Sequence, residues 1–273
     1  MPQCDRQPCK IAVRPVPLDV DTDASEGSVT MIVGNVRASL TRDDAQLALR
    51  LIARGSASEL EALEERLREG GLDALLDDPR LLGAIVESPL GVRTSLSLFC
   101  YVVVRHAFSR VGETDRPLAD YVSSILLHFG QRERAHRVAD NDDESYDTLS
   151  DLLDDVDGPD SRRNFLVRQH LGNYALWLSG LFPDRIEHVR WRRGGPELDY
   201  YEALGRRGFQ LASEHRLAQE YGLSPLLQRA AERFAALRLA LNSVSDTLLF
   251  PNVHSPERLM RQVTDEAKWR QAS

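Results

Sequence analysis

Lysine is almost missing from this chain of 273 residues. Only Lys10 and Lys268 occur among 34 basic residues, so 32 are arginines. The bias is that of a GC-rich coding genome and suggests a bacterial source. Its functional alternative is a ligand site built on guanidinium groups. Cysteine is as sparse. Cys4, Cys9 and Cys100 are odd in number and irregularly spaced, which excludes a disulfide framework. Cys4 and Cys9 have no second Cys or His pair nearby, so no zinc site is expected there. Cys100 sits in an apolar run and reads as a small buried hydrophobe. Long apolar runs are absent too. The most apolar stretch, Leu96 to Val104, ends at Arg105-His106. That is about half of what a membrane-spanning helix needs. No charged-then-apolar leader opens the chain. A soluble, cytoplasmic protein without membrane contact is the expectation. The signature motifs G-x-x-x-x-G-K-[ST], G-x-G-x-x-G after a strand, G-x-S-x-G and H-E-x-x-H are all missing, which removes the commonest supports for an enzyme.

What is present is ample apolar material, 42% of residues, and an acidic balance of 42 carboxylates against 34 basic groups. The first can fill a core. The second gives a net charge of −8, which repels phosphate backbones and makes nucleic acid an unexpected partner.

Residues 1–34 stand apart, with Pro2, Pro8, Pro15 and Pro17 and an acidic stretch from Asp19. They read as an irregular tail in which residues 10–14 and 29–33 can form one short β-hairpin. From Arg42 onward the pattern is helical. Thr41 with Asp44, and Ser58 with Glu61, have the spacing of helix-capping pairs. Residues 90–111 predict one central buried helix stopped by Gly112. Pro117–Phe129 predicts another. Residues 140–160 hold ten acidic side chains and neither Lys nor Arg, with a short amphipathic helix around Tyr146–Val156. This stretch is the expected linker between an N-terminal helical lobe, 35–139, and a C-terminal one, 161–273. In the latter, 161–182, 184–193, 197–221 and 224–250 predict helices, and Ser255-Pro256 starts a last one. The expected fold is all-α: a multi-helix bundle whose two long C-terminal helices form an antiparallel hairpin.

Four constellations carry chemistry. Glu133-x-x-His136 has the spacing of carboxylate-bridged metal bundles, but it occurs once and two copies are needed. No metal or other cofactor is expected. His170 and His215 fall on apolar helix faces. Together with Asn173, Trp177, Tyr200 and Tyr201 they make a candidate small-molecule pocket, against the alternative of ordinary core histidines. Residues 217–231 resemble a helix-turn-helix, but Gln228 stands where an apolar residue is needed and the flanking helices are long. Arg185, Arg190, Arg192 and Arg193, with Trp191, form a basic cluster. It suits an acidic partner in this chain or another subunit, a nucleotide, or plain solvent.

The segment His170-Leu171-Gly172-Asn173-Tyr174-Ala175-Leu176-Trp177, continuing to Pro183, resembles a family of uncharacterised bacterial all-helical proteins, as does Tyr200-Tyr201-Glu202-Ala203-Leu204-Gly205. The likeness covers the C-terminal half and implies no activity, cofactor or catalytic residue. Gly172, Gly180, Gly205 and Gly208 inside helices imply close helix approach or room beside a ligand, because each costs about 1 kcal/mol against alanine. The expected function is non-catalytic: protein–protein contact or self-association, with a protein partner or a homo-oligomer. The alternatives are a ligand- or metal-dependent enzyme or sensor, and a DNA-associated regulator.

Overall fold

The computed structural model describes residues 31–130, 134–138, 146, 148–157 and 161–272. These residues contain helices and no strand. The first helices are α1 (Val36–Ser39), α2 (Arg42–Ala53), α3 (Ala57–Gly70), α4 (Asp73–Leu76), α5 (Leu81–Glu87), α6 (Leu96–Arg110) and α7 (Arg116–Phe129). After the acidic stretch come α8 (Leu149–Asp154), α9 (Ser161–Leu181), α10 (Pro183–Arg193), α11 (Leu198–Ser213) and α12 (Arg216–Glu220). The chain closes with α13 (Ser224–Glu232), α14 (Phe234–Val244) and α15 (Pro256–Ala272). The all-α expectation holds. The proposed hairpin residues 10–14 and 29–30 lie outside the described residues, and 31–33 form no strand.

Helix starts follow capping chemistry. Thr41 accepts from the Asp44 N–H while Asp44 accepts from the Thr41 N–H, a reciprocal box that satisfies two free donors. Thr148 and Asp151 do the same for α8. The cap of α3 is Ser56 with Glu59, two residues before the expected Ser58–Glu61 pair. Both pairs share the S-x-x-E spacing. The chain leaves α2 through left-handed Arg54 and Gly55, so the earlier serine is the one in place.

The expected helix over 90–111 is two pieces. Pro89–Arg93 is a short 3-10 turn, Thr94 and Ser95 are extended, and Ser95 caps α6 by accepting from the Leu98 N–H. Leu90, Val92 and Leu96, expected in the core, are exposed as a result. The C-terminal hairpin is also segmented. Its first arm breaks at Glu214-His215 and its second at Arg233, and the second arm then widens into a π turn over Ser245–Leu249. Ser224 is not the expected cap. Its hydroxyl donates to the Ser213 carbonyl, tying the two arms at 2.7 Å.

Two apolar cores share α6. Leu98, Tyr101 and Val102 face α2 to α5, whereas Val103, Val104, Ala107 and Phe108 join α7, α9, α11, α13 and α14. The cores therefore divide within α6. Leu149, Leu152 and Val156 of the acidic stretch pack into the second core rather than lying between the two. Helix α9 is the axis of that core and runs against α11 with glycines at the contact. A Cβ on Gly208 would sit 2.6 Å from the Gly172 nitrogen and 2.9 Å from the Arg168 carbonyl oxygen. A Cβ on Gly172 would enter the Phe209 ring at 2.5 Å. Close approach, rather than room for a ligand, accounts for these two glycines.

At the other end, Asp77 ties the end of α4 to α6 and α7, and Asp78 ties it to α3 and the start of α5. Asp77 accepts from Arg105 and Arg116, and Asp78 from Arg66 and Arg80. The Arg80 guanidinium holds the Asp78 carboxyl well below the usual carboxylate range despite its burial.

Candidate interaction surface

The histidine pocket does not assemble as expected. His170 is buried on α9; its Nε2 donates to the Ala135 carbonyl at 3.1 Å, and its ring stacks on Tyr174. Asn173, one turn on, accepts from the Tyr121 hydroxyl at 2.7 Å. Gln169 donates to the same hydroxyl and to the Ile32 carbonyl, pinning the chain ahead of α1. Trp177 packs between Phe129, Tyr174 and Phe182. His215 is elsewhere. It caps α12, its Nδ1 accepting from the Leu217 N–H, and its ring lies against Phe165. Tyr200 and Tyr201 open α11, with Tyr200 exposed and its hydroxyl 3.5 Å from Ser150. The polar atoms named here are engaged in holding the fold.

The metal-like pair is also engaged where it is visible. His136 donates from Nδ1 to the Tyr146 carbonyl, and Glu133 lies outside the described residues. Among the described residues no three His, Cys, Asp or Glu side chains converge as a metal site.

The helix-turn-helix reading loses its recognition helix. Leu227, Ala230 and Ala231 of α13 are buried against the core. Arg229 and Arg233, the residues such a helix would present, pair with Asp115 at 2.6 Å and Glu113 at 2.9 Å. The groove beside α13 is lined by Glu214 and Glu232, which repel phosphate.

The arginine cluster does reach the surface. Helix α10 begins with Pro183, its φ preset for a first turn, and ends at left-handed Gly194. Arg190 bridges Glu187 and Glu197 and lies 5.5 Å over the Trp191 ring. Trp191, Arg185, Arg192 and Arg193 are exposed. Arg185, Arg192 and Arg193 make no ion pair among the described residues. Two described carboxylates of the acidic stretch, an expected internal partner, pair elsewhere: Asp155 with Arg163 and Asp157 with Arg168, both on α9.

Beside α10 lies the feature that sequence reasoning missed. Helix α15 is docked with its charges inward. Arg258, Arg261 and Asp265 are buried, while Leu259, Met260 and Val263 are 62%, 66% and 63% exposed. The buried side enters a network of three arginines and four carboxylates. Arg238 of α14 donates to both carboxylate oxygens of Asp265, to Glu202 and to Asn242. Arg258 donates to Asp184, and Arg261 donates to Asp184 and Asp246. Burial alone would lower the Arg238 pKa, but the carboxylates of Asp265 and Glu202 outweigh it and raise the value.

The π turn serves the same seat. Helix α9 ends with carbonyls that have no helical donor. Asn242 donates to the Ser179 and Gly180 carbonyls at 2.7 and 2.8 Å, and Ser245 to that of Leu181 at 2.8 Å. The arrangement carries Asp246 to where Arg261 meets it. The start of α15 was legible at Ser255-Pro256, but its orientation was not, because the arginines that compete for the inner side find their partners only in three dimensions.

Compared with protein-family models, curated proteins and solved structures, the chain matches none of them. Among the described residues no helix is long and apolar enough to cross a membrane.

Proposed function

We propose that this chain is a non-catalytic, cytoplasmic helical protein that works by binding protein through the α10–α15 face. The observation that carries the reading is the inverted seat of α15. Burying a Leu, Met or Val side chain stabilises a fold by about 1.5–3 kcal/mol. The helix forgoes this three times over and turns that surface to solvent. Contiguous exposed apolar area rimmed by polar groups is characteristic of protein contact sites. Trp191 and the exposed arginines beside it are residue types enriched at interface centres. The low cysteine content underlies the choice of compartment. The engagement of His170, Asn173 and His215 in internal hydrogen bonds favours contact over chemistry.

The test is a photo-cross-linking residue at Val263 in cells that make the protein. A discrete protein adduct, lost when Leu259→Asp is added, is the expected result. The substitution should leave the thermal midpoint unchanged, because the side chain is exposed. No adduct at Val263, or one indifferent to Leu259→Asp, would sink the reading.

A further inference from the structure

We infer that the protein seated on this face is a second copy of the chain, which presents its acidic helix α8. The inference rests on the reading above and adds the partner. The argument is charge complementarity. The outer side of α8 shows Ser150, Asp151, Leu153 and Asp154, all exposed, followed by exposed Asp157. Asp154 has no ion-pair partner among the described residues. On α10, Arg185, Arg192 and Arg193 are exposed and without ion pairs among the described residues, beside exposed Trp191. One face is acidic with a projecting leucine. The other is basic with projecting apolar side chains.

The two faces are also neighbours. Ser150 of α8 lies 3.5 Å from the Tyr200 hydroxyl at the head of α11, and Arg190 of α10 donates to Glu197, which precedes the same helix. Arg258, in the first turn of α15, donates to Asp184 in the first turn of α10, which sets the starts of these two helices side by side. The order across the surface is therefore α8, the two tyrosines, α10, α15. Two adjoining patches of opposite sign complement each other under a two-fold rotation about the border between them. Each α8 then lies over the partner's α10, both contacts form at once, and the assembly closes as a dimer. A chain of net charge −8 repels its own copy at long range, so association requires local complementarity of this kind.

Sedimentation velocity on the full chain tests it at concentrations up to about 100 µM, where weak dimers populate. The expected result is a monomer–dimer equilibrium. Asp154→Arg alone and Arg193→Glu alone should each raise the dissociation constant about tenfold or more. Combined in one chain, the two reversals should restore most of the affinity, since each acid–base contact is remade with its signs exchanged. Both positions are exposed, and circular dichroism checks that each variant folds. A monomer throughout the range overturns the inference, as does a dimer blind to both reversals, or a double variant weaker than either single. The two readings fail separately. A monomeric chain that still yields a Val263 adduct with a different protein loses the second copy and keeps the α15 face. A dimer with charge-swap rescue but no Val263 adduct keeps the α8–α10 contact and loses the α15 face.

Discussion

The α9–α11 seam and the seat of α15 join helices to the same core by opposite means. At the seam, glycines let backbones approach so closely that a single methyl group has no space. The ring of Phe209 fills the remaining volume, and apolar burial supplies the attraction. At the seat, buried ion pairs replace apolar contact. Such pairs repay their desolvation only through geometry and full hydrogen bonding. The difference shows what an apolar side chain is for. Where it faces inward it holds the fold, and where charges take the inner side it is released to meet something else.

The comparison breaks first at Arg238. Arg238→Met takes the donating guanidinium from buried Asp265 and half-buried Glu202, leaving Asp265 only Arg261 at 4.0 Å, and is expected to cost about 3 kcal/mol in urea unfolding. A loss under about 1 kcal/mol would mean that the network is incidental to the seat. Next comes Gly208→Ala. The new methyl meets backbone of α9 that cannot turn aside, so overpacking should cost about 2–3 kcal/mol, more than any gain in helix propensity. An unchanged unfolding midpoint would show that the seam is looser than its 2.6 Å approach implies.

The smallest effect lies away from both contacts, at His106 on α6, and serves as a control. Burial lowers its pKa, with Asp77 opposing, and its Nε2 has no hydrogen-bond partner among the described residues. The unfolded chain therefore takes up a proton near the ordinary histidine pKa of about 6.5 while the native chain resists. Stability is fully present above that value and falls as pH drops from it toward the native pKa. The thermal midpoint should decline over that window in the wild type and decline less in His106→Gln. Equal slopes would remove His106 as the cause, and would leave the comparison of the two helix contacts untouched.

Much of this was legible in residue order. Pro117, Pro225 and Pro256 mark first helical turns, and Gly112, Gly194 and Gly222 mark stops, each now at positive φ. The four helical glycines pointed to close approach before any partner was known. The space beside Gly172 and Gly205 is filled by the rings of Phe209 and Phe234, and His170 and His215 have different aromatic neighbours. Breaks inside long apolar patterns were not legible. Residues 90–111 keep one hydrophobic character across Thr94-Ser95, and the serine that caps α6 looks like any other until the chain turns there.

The sequence by itself determined an all-helical chain, many of its helix starts and stops, the arginine cluster of α10 and the acidic helix α8, because these depend on propensity, local hydrogen bonds and charge near in the chain. Only the tertiary structure decided which side of α15 is inner. Arg258 and Arg261 meet Asp184 and Asp246, and Asp265 meets Arg238, at separations of 12 to 77 residues. No local pattern encodes such pairings. A charge is stable in the interior only where its counter-charge arrives in place, and that is settled by how the helices pack.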